Sequence, residues 1–327
     1  MKKTLFFISF FFLSVFAVAQ QADISYQVLQ LPTSAHVAAL GGDNITITED
    51  NPANVWSNPA LLSDVSDNSF SLNFMTYNSG SMLFGAQYAK QFGERHAATV
   101  MAEYLGYGSM DETDENGTVI GSFKPKDIVI GFGYSYLLSD RWTGGASLKM
   151  TSQSYGNYSS FGLSVDLGLN YYDEDKDMCV SVAMKNIGAQ VKSFYEGQRT
   201  KMPFTLQAGF SKGMEHLPVR FHVLLTDLAR WSDSQYYHPS DKEKAGFGNI
   251  LLNHFIIGLD ILPTDYLYIS AGYNFRRAYE LKSAGSSKLA GLTFGAGLRL
   301  KKIKFGASYS KYHVGNGGIQ FDIAYSL

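Results

Sequence analysis

The stretch that decides the fold is residues 159–172, SSFGLSVDLGLNYY, in which apolar residues alternate with small or polar ones. The apolar set is Phe161, Leu163, Val165, Leu167, Leu169 and Tyr171. A period of two places these side chains on one face of a strand and the residues between them on the other face. Soluble sheets use the same alternation, but a run of about a dozen residues is long for a soluble strand and fits a tilted crossing of a bilayer.

The same alternation returns along the chain after Ser69. We count about fourteen such segments, a number typical of outer-membrane barrels. They begin near Ser69, Met82, His96, Asp127, Arg141, Tyr158, Met178, Pro203, Pro218, Ile250, Tyr266, Leu289, Ile303 and Gly318. The sequence therefore predicts an all-β fold, a transmembrane barrel of about 14 antiparallel strands over residues 69–327.

The lengths of the connections support a barrel independently of the alternation. Every second connection is short, and the long connections all fall between the short ones. The short set is residues 91–95, 138–141, 172–177, 213–217, 262–266 and 300–303, and the long set is 106–126, 188–202, 229–248 and 276–288. Bacterial barrels keep short turns in the periplasm and long loops outside. We therefore expect the short turns and both termini to face the periplasm.

The first 19 residues have the pattern of a secretory signal peptide. Lys2 and Lys3 precede an apolar run over residues 5–16, and Ala17-Val18-Ala19 fits a cleavage site. We expect cleavage there, export, and insertion into the outer membrane of a Gram-negative cell. Loss of two of the 27 basic residues leaves 25 against 29 acidic ones, a formal charge of −4. This charge does not favour nucleic acid as a partner.

Residues 20–68 do not alternate cleanly and are predicted to form a plug. Asn-Pro pairs, which mark turns, occur at 51–52 and 58–59, and a helical turn is expected over residues 53–62. The segment is too apolar for a free linker, and the small inward residues of the barrel leave room for it in the barrel mouth. The predicted plug motif is Asn51, Pro52, Asn58, Pro59 and Ala60.

These motifs carry a resemblance to a known family. LPTSA and VAALGG within residues 31–42, then NPA and LL within 58–62, resemble the amino-terminal signature of the PorV/PorQ family of the type IX secretion system. Residues 225–231, LTDLARW, resemble the same family. That family is similar to the FadL-like fatty-acid transporters, whose amino-terminal hatch also contains an NPA motif. The resemblance covers the mature chain in layout, but its specific motifs occupy only these short stretches.

The resemblance implies a non-enzymatic outer-membrane component that anchors proteins of a surface attachment complex. The implied partners are PorZ, PorU and PorV, together with outer-membrane lipid and lipopolysaccharide, to which secreted cargo is joined. The long loop at residues 229–248 is the expected partner surface, because its aromatic side chains suit protein recognition. The candidate residues are Trp231, Tyr236, Tyr237, Pro239 and Phe247.

No constellation in the sequence predicts a catalytic, cofactor or metal site. Ser308 and Lys311 fit an S-x-x-K pattern, but alternation places them on opposite faces and no K-T-G follows. The seven histidines show no close metal-ligand spacing, and Cys179 is interpreted as a small lumen residue. We therefore expect a protein that is not an enzyme and holds no cofactor.

The alternative function is a FadL-like transporter of hydrophobic small molecules. Such a transporter needs a continuous apolar pocket lined by inward side chains. The predicted inward faces instead carry Gly, Ser, Asn, Gln and charged residues, among them Gln87, Asp166 and Asn274. On the sequence alone, the secretion component is therefore the favoured interpretation.

Overall fold

A computed structural model describes residues 25–77, 80–231, 246–283, 288–312 and 316–327. The predicted signal peptide, residues 1–19, lies outside the described residues. The sixteen strands of the described chain, β1 to β16 in chain order, are Ser69–Thr76, Met82–Phe92, His96–Gly106, Met110–Thr113, Val119–Phe123, Lys126–Ser139, Trp142–Tyr155, Tyr158–Asp173, Met178–Lys192, Thr205–Gly213, Val219–Leu225, Phe255–Thr264, Leu267–Asn274, Leu292–Leu300, Ile303–Lys311 and Gly317–Ser326.

Fourteen of these strands form a closed antiparallel barrel. Each pairs with its neighbours in chain order, except that β3 pairs with β6 and β1 closes the barrel against β16. The remaining two, β4 and β5, form a separate hairpin in the connection from β3 to β6. The predicted barrel of about 14 strands is therefore confirmed.

The alternation in β8 has the predicted facing. Leu163 and Leu167 are 37% and 45% exposed on the outside, whereas Ser164 and Asp166 are 1% and 0% exposed towards the lumen. The outside of the barrel carries apolar side chains on the other barrel strands as well. This arrangement suits a lipid-facing surface around a polar-lined interior.

Short helices occupy the plug region and the connections. The α-helices are α1 (Ala35–Ala39), α2 (Phe247–Asn253) and α3 (Phe275–Ser283), and the 3-10 helices are η1 (Gln27–Gln30), η2 (Pro52–Trp56), η3 (Pro59–Asp64), η4 (Glu174–Lys176) and η5 (Lys288–Gly291). The predicted start of a strand at Ile250 is wrong: Ile250 lies in α2, and β12 begins at Phe255. The run Ile250-Leu251-Leu252 is apolar without alternation, so it fits a helix as well as a strand.

Residues 25–68, the plug, lie inside the barrel and run its length. We call the two ends of the barrel the short-turn end and the long-loop end, after their connections. At the long-loop end, the Ser25 N–H donates to the Lys201 carbonyl at 3.3 Å, and Tyr26 Oη lies 2.5 Å from Ser160 Oγ. At the short-turn end, the plug continues into β1 at Ser69. The plug therefore reaches from one end of the lumen to the other and is not confined to one mouth.

Candidate functional site

The two Asn-Pro pairs begin the two longest 3-10 helices of the plug. The Asn51 side chain accepts a hydrogen bond from the Ala53 N–H, and the Asn58 side chain accepts one from the Ala60 N–H, both at 3.0 Å. Each asparagine thus caps its helix, and the proline that follows supplies a preset φ at the first helical position. All five residues of the predicted plug motif, Asn51, Pro52, Asn58, Pro59 and Ala60, are buried.

Two glycines of the barrel wall make room for η3. A Cβ added at Gly168 would collide with Asn58 Oδ1, and one added at Gly145 would collide with the backbone of Pro59 and Ala60. Both glycines face the lumen at the short-turn half of β7 and β8. Only glycine permits the plug backbone to approach the wall this closely.

One group of the buried polar contacts that hold the plug is centred on His36 of α1. His36 Nε2 lies 3.0 Å from Asp260 Oδ1, and its Nδ1 lies 3.3 Å from Glu49 Oε2. His222 Nε2 lies 2.9 Å from the other Asp260 oxygen, and Ser270 Oγ donates to Asp260 at 2.6 Å. A single wall carboxylate therefore binds the plug histidine and two wall side chains.

His36 is charged inside the barrel. Burial by itself would lower the pKa of His36, but the carboxylates of Asp260 and Glu49 outweigh it and raise the pKa to about 10. Burial likewise opposes ionisation of Glu49, yet the charge on His36 lowers its pKa to about 2. The two plug groups are therefore an ion pair at neutral pH, which Arg299 extends at 3.1 Å from Glu49.

Further polar contacts tie the plug to the same part of the barrel. Asp322 accepts hydrogen bonds from the Ala35 N–H at 2.8 Å and from Asn51 Nδ2 at 2.9 Å. Lys304 Nζ lies 2.7 Å from Asp50 Oδ2. We call the inward face of β11–β16, which supplies these contacts, the anchoring wall.

Next to the anchoring wall, beyond the β1–β16 seam, the plug packs against apolar side chains of β1, β2, β3 and β6. Met75, Leu83 and Leu105 oppose one another in register near the long-loop end. Val129, opposite Glu103, and Met101, opposite Gln87, occupy the next two inward levels towards the short-turn end. All five apolar residues are fully buried. With the plug and neighbouring residues they form one apolar cluster: Tyr26, Val28, Leu29, Val55, Trp56, Leu62, Val65, Met75, Leu83, Ala89, Ala97, Met101, Leu105, Val129 and Met202. The rings of Tyr77, Tyr107 and Tyr312 pack on it as a rim.

The expectation that the inward faces are only small, amide and charged residues is wrong for these strands. Leu83 lies between Met82 and Phe84, and Met101 lies between Val100 and Ala102, so both faces are apolar there. Alternation cannot assign the facing of such a run. These inward residues can be apolar because apolar side chains of the plug pack against them and exclude water.

Charged groups border the apolar cluster. Lys149 Nζ lies 2.5 Å from Asp166 Oδ2 and 5.0 Å from the centre of the Trp56 ring. Glu103 faces inward between Met101 and Leu105, and its Oε1 makes no hydrogen bond with any described residue. The lumen is thus apolar along one side of the plug and charged immediately beside it.

Part of the predicted partner loop falls outside the described chain. Tyr236, Tyr237 and Pro239 lie in residues 232–245, which the structure does not describe. Trp231 is 47% exposed, and its Nε1–H donates to the Leu228 carbonyl at 2.7 Å. Phe247, at the first position of α2, is 73% exposed. These two aromatic residues therefore flank the loop at the long-loop end.

The described residues contain neither a helix that could span a membrane nor a cluster of metal ligands. No helix in them has the length and apolar character needed to cross a membrane. No group of three or more His, Cys, Asp or Glu side chains in the same residues is arranged to hold a metal ion.

Solved structures with the same architecture were found. The toluene transporter TodX of Pseudomonas putida is 14% identical with a TM-score of 0.56, covering 93% of this chain and 99% of that one. The toluene transporter TbuX of Ralstonia pickettii is 15% identical with a TM-score of 0.54, covering 91% and 98%. A FadL homologue of Pseudomonas aeruginosa is 11% identical with a TM-score of 0.51, covering 91% and 99%.

The fold is that of the FadL-like outer-membrane barrels. No protein-family model matches the chain, and no curated protein matches its sequence. At these identities the likeness between this FadL-like barrel and its neighbours shows the fold alone.

Proposed function

We propose that this FadL-like barrel transports hydrophobic small molecules across the outer membrane along the apolar side of its plug. The observation that carries the proposal is the apolar cluster, which extends from the tyrosine rim at the long-loop end to Val65 near the short-turn end. Two structural neighbours are toluene transporters, which makes a small apolar solute the first substrate to test.

The two sides of the plug differ in what their separation would cost. Parting the plug from the anchoring wall would leave buried charges without partners, at about 3–5 kcal/mol for each broken pair. Parting Val55 from Met101 and Val129 exposes mainly apolar surface, at about 25 cal/mol per Å² to water. The polar side chains at this level are Gln87, opposite Met101, and Glu103, opposite Val129. An apolar solute in that gap would replace the lost contacts. A passage on this side therefore favours hydrophobic molecules.

The test is uptake of radiolabelled toluene by Gram-negative host cells that carry the protein in their outer membrane. We expect Met101→Gln to reduce uptake several-fold, because it places a second amide beside Gln87, which lies opposite residue 101, and so makes this level of the passage polar. Met101→Leu is the matched control, since it keeps the volume and the apolar character. Equal uptake by the two variants, at equal amounts of assembled barrel, would refute transport along this path.

A component of the type IX secretion system is the second candidate. It rests on the motifs in residues 31–42 and 58–62, and on the exposure of Trp231 and Phe247 beside the long loop. The structural neighbours support transport better than this role. Replacement of residues 232–245 by a short Gly-Ser turn separates the two. If the protein has the secretion role, PorZ, PorU and PorV should no longer co-purify with the shortened variant. If it has the transport role, the proteins that co-purify with the native barrel and with the variant should be the same.

A further inference from the structure

We propose that the outside of the barrel holds a glycerophospholipid of the inner leaflet, with its acyl chains in a trough across the strands and its phosphate at Lys301 and Lys302. The proposal concerns the outer surface and does not depend on transport through the lumen. The trough is a concavity of about 1130 Å³ on the outside of β1, β2, β3, β6 and β13–β16. The outside of a closed barrel is ordinarily convex, so a concave apolar surface of this size offers an acyl chain more contact than the rest of the outside does.

Two adjacent rows of outward side chains line the trough, and the strand register connects each row directly. The first row is Leu267, Leu298, Phe305, Ile323, Leu72, Ala86, Ala102 and Ile130, and the second is Ala296, Ala307, Phe321, Phe74, Phe84, Tyr104 and Ile128. Leu298 lies two residues from the short-turn end of β14, and Ile128 lies two residues from the long-loop end of β6. The trough therefore rises obliquely from the short-turn end.

Small residues at outward positions give the trough its depth. Ala86 opposes Ala102, and Ala296 opposes Ala307, within rows otherwise built from Phe, Leu, Ile and Tyr. The larger side chains around each alanine pair form the sides. A flexible hydrocarbon chain can follow such an uneven floor and bury apolar surface against it.

The trough continues into a basic hollow at the short-turn end. From Leu298, Phe305 and Ile323, the next outward residues on the same three strands are Leu300, Ile303 and Tyr325. These three line a second concavity of about 680 Å³, together with Tyr266, Arg299, Lys301 and Lys302. An apolar trough with cations at one end matches the layout of a lipid that bears a phosphate.

The two lysines are available for an anion. The neighbouring cations are engaged with the plug, since Lys304 binds Asp50 and Arg299 binds Glu49. Lys301 and Lys302 are exposed in the β14–β15 turn, and they form no ion pair with any described residue. The adjacent β12–β13 turn contributes the carboxylate of Asp265, which leaves the hollow with a net positive charge.

The position of the hollow specifies the leaflet. Tyr266 and Tyr325 stand at the level where aromatic residues meet lipid headgroups. Short turns of bacterial barrels face the periplasm, and the leaflet on that side consists of glycerophospholipids. The occupant is therefore a two-chain phospholipid rather than lipopolysaccharide, whose phosphates lie at the other surface.

The experiment is native mass spectrometry of the full protein, purified in a mild detergent and supplied with palmitoyl-oleoyl phosphatidylglycerol. We expect one lipid to stay bound per barrel. Ala296→Phe with Ala307→Phe fills the trough and should lower the bound fraction several-fold. Ala146→Phe is the matched control, because Ala146 also faces lipid but lies outside the trough. Should the double variant not assemble, Ala102→Leu makes the same comparison at the other end.

The headgroup is tested separately. Lys301→Gln and Lys302→Gln should each weaken retention of phosphatidylglycerol, whereas Arg95→Gln in another short turn should leave it unchanged. The proposal is overturned if the filled trough retains the lipid as the native barrel does. It is also overturned if inorganic phosphate displaces the lipid while the trough variants have no effect, or if the trough variants release a bound polypeptide instead of lipid.

Discussion

The two sides of the lumen hold the plug by different physical means. On the anchoring wall, Asp260, Asp322 and Lys304 make directional contacts with named plug atoms at 2.7–3.0 Å. On the neighbouring side, formed by β1, β2, β3 and β6, Met101 and Val129 contribute apolar surface to the cluster, and Gln91 at the short-turn end donates to the Ser63 and Val65 carbonyls. Directional polar contacts permit one position of the plug, whereas apolar packing tolerates small displacements and substitutions of similar volume.

This difference indicates which side of the plug can open. A displacement of a few ångströms breaks a buried ion pair almost entirely, since the remaining charges lose their partners in a poorly hydrated interior. The same displacement on the apolar side can be filled by another apolar molecule. The plug can therefore be fixed along one wall and still admit a solute along the other.

The largest effect is expected from removing the centre of the anchoring wall. Asp260→Ala leaves His36 and His222 without their shared acceptor and should lower the free energy of unfolding by about 3–5 kcal/mol. Denaturant titration of the refolded barrel in detergent measures the change. Asp265→Ala, in an exposed turn, is the control and should change stability little. A loss equal to the control would mean that this wall does not hold the plug.

A smaller and reversible effect is expected on the apolar side. Met101→Ala should lower the free energy of unfolding by about 2 kcal/mol, at the low end for a buried methionine, because plug side chains can move into the space. Toluene added to this variant should restore part of the stability by filling the cavity. Toluene should not stabilise Asp260→Ala in this way. Equal rescue of the two variants would remove the distinction between the two sides.

The anchoring wall should also depend on pH. The folded pKa of His36 is raised from 6.5 to about 10, so its contribution is complete below pH 6.5 and is lost as the pH rises through 10. The pKa of Glu49 is lowered from 4.5 to about 2, so its contribution is complete above pH 4.5 and is lost as the pH falls through 2. Melting curves of the native barrel and His36→Gln should therefore converge between pH 6.5 and 10. Parallel curves would show that His36 is not charged in the plug.

The smallest effect is expected at the η3 cap, which lies between the two sides. Asn58→Ala removes the hydrogen bonds to the Ala60 N–H and to the Ile45 carbonyl and should cost about 1–2 kcal/mol. Asn116→Ala, in the exposed β4–β5 turn, is the control. The change is read from the same denaturant titration. A cost above that of Asp260→Ala would place the main attachment of the plug at η3, where it lies against Gly145 and Gly168.

The barrel could be predicted from the sequence because a short local pattern specifies each strand. Alternation needs only neighbouring residues, and the predicted strand starts at Ser69, Met82, His96 and Ile303 are those of the structure. The predicted strand start is wrong where the alternation of apolar and polar residues is lost. Ile250 begins an apolar run without period two, so helix α2 could not be distinguished from a strand.

The contacts of the lumen could not be read from the sequence because they join distant residues. His36 and Asp260 are 224 positions apart, and no spacing rule connects them. Alternation placed Asp166 on the inner face correctly, but its partner Lys149 and its complete burial depend on the plug excluding water. The apolar residues at the same level, such as Met101, were missed because both faces of β3 are apolar there.

The last strand of the barrel binds the plug through hydrogen bonds. In β16, Gln320 Nε2 donates to the Pro32 carbonyl at 3.1 Å, and Asp322 binds Ala35 and Asn51. The same strand closes the barrel by pairing with β1. Docking of the plug and closure of the seam therefore stabilise each other, since each fixes the position of β16. A barrel that closed without the plug in place would lack the hydrogen bonds from Ala35 and Asn51 to Asp322, and the β1–β16 seam would lose that support.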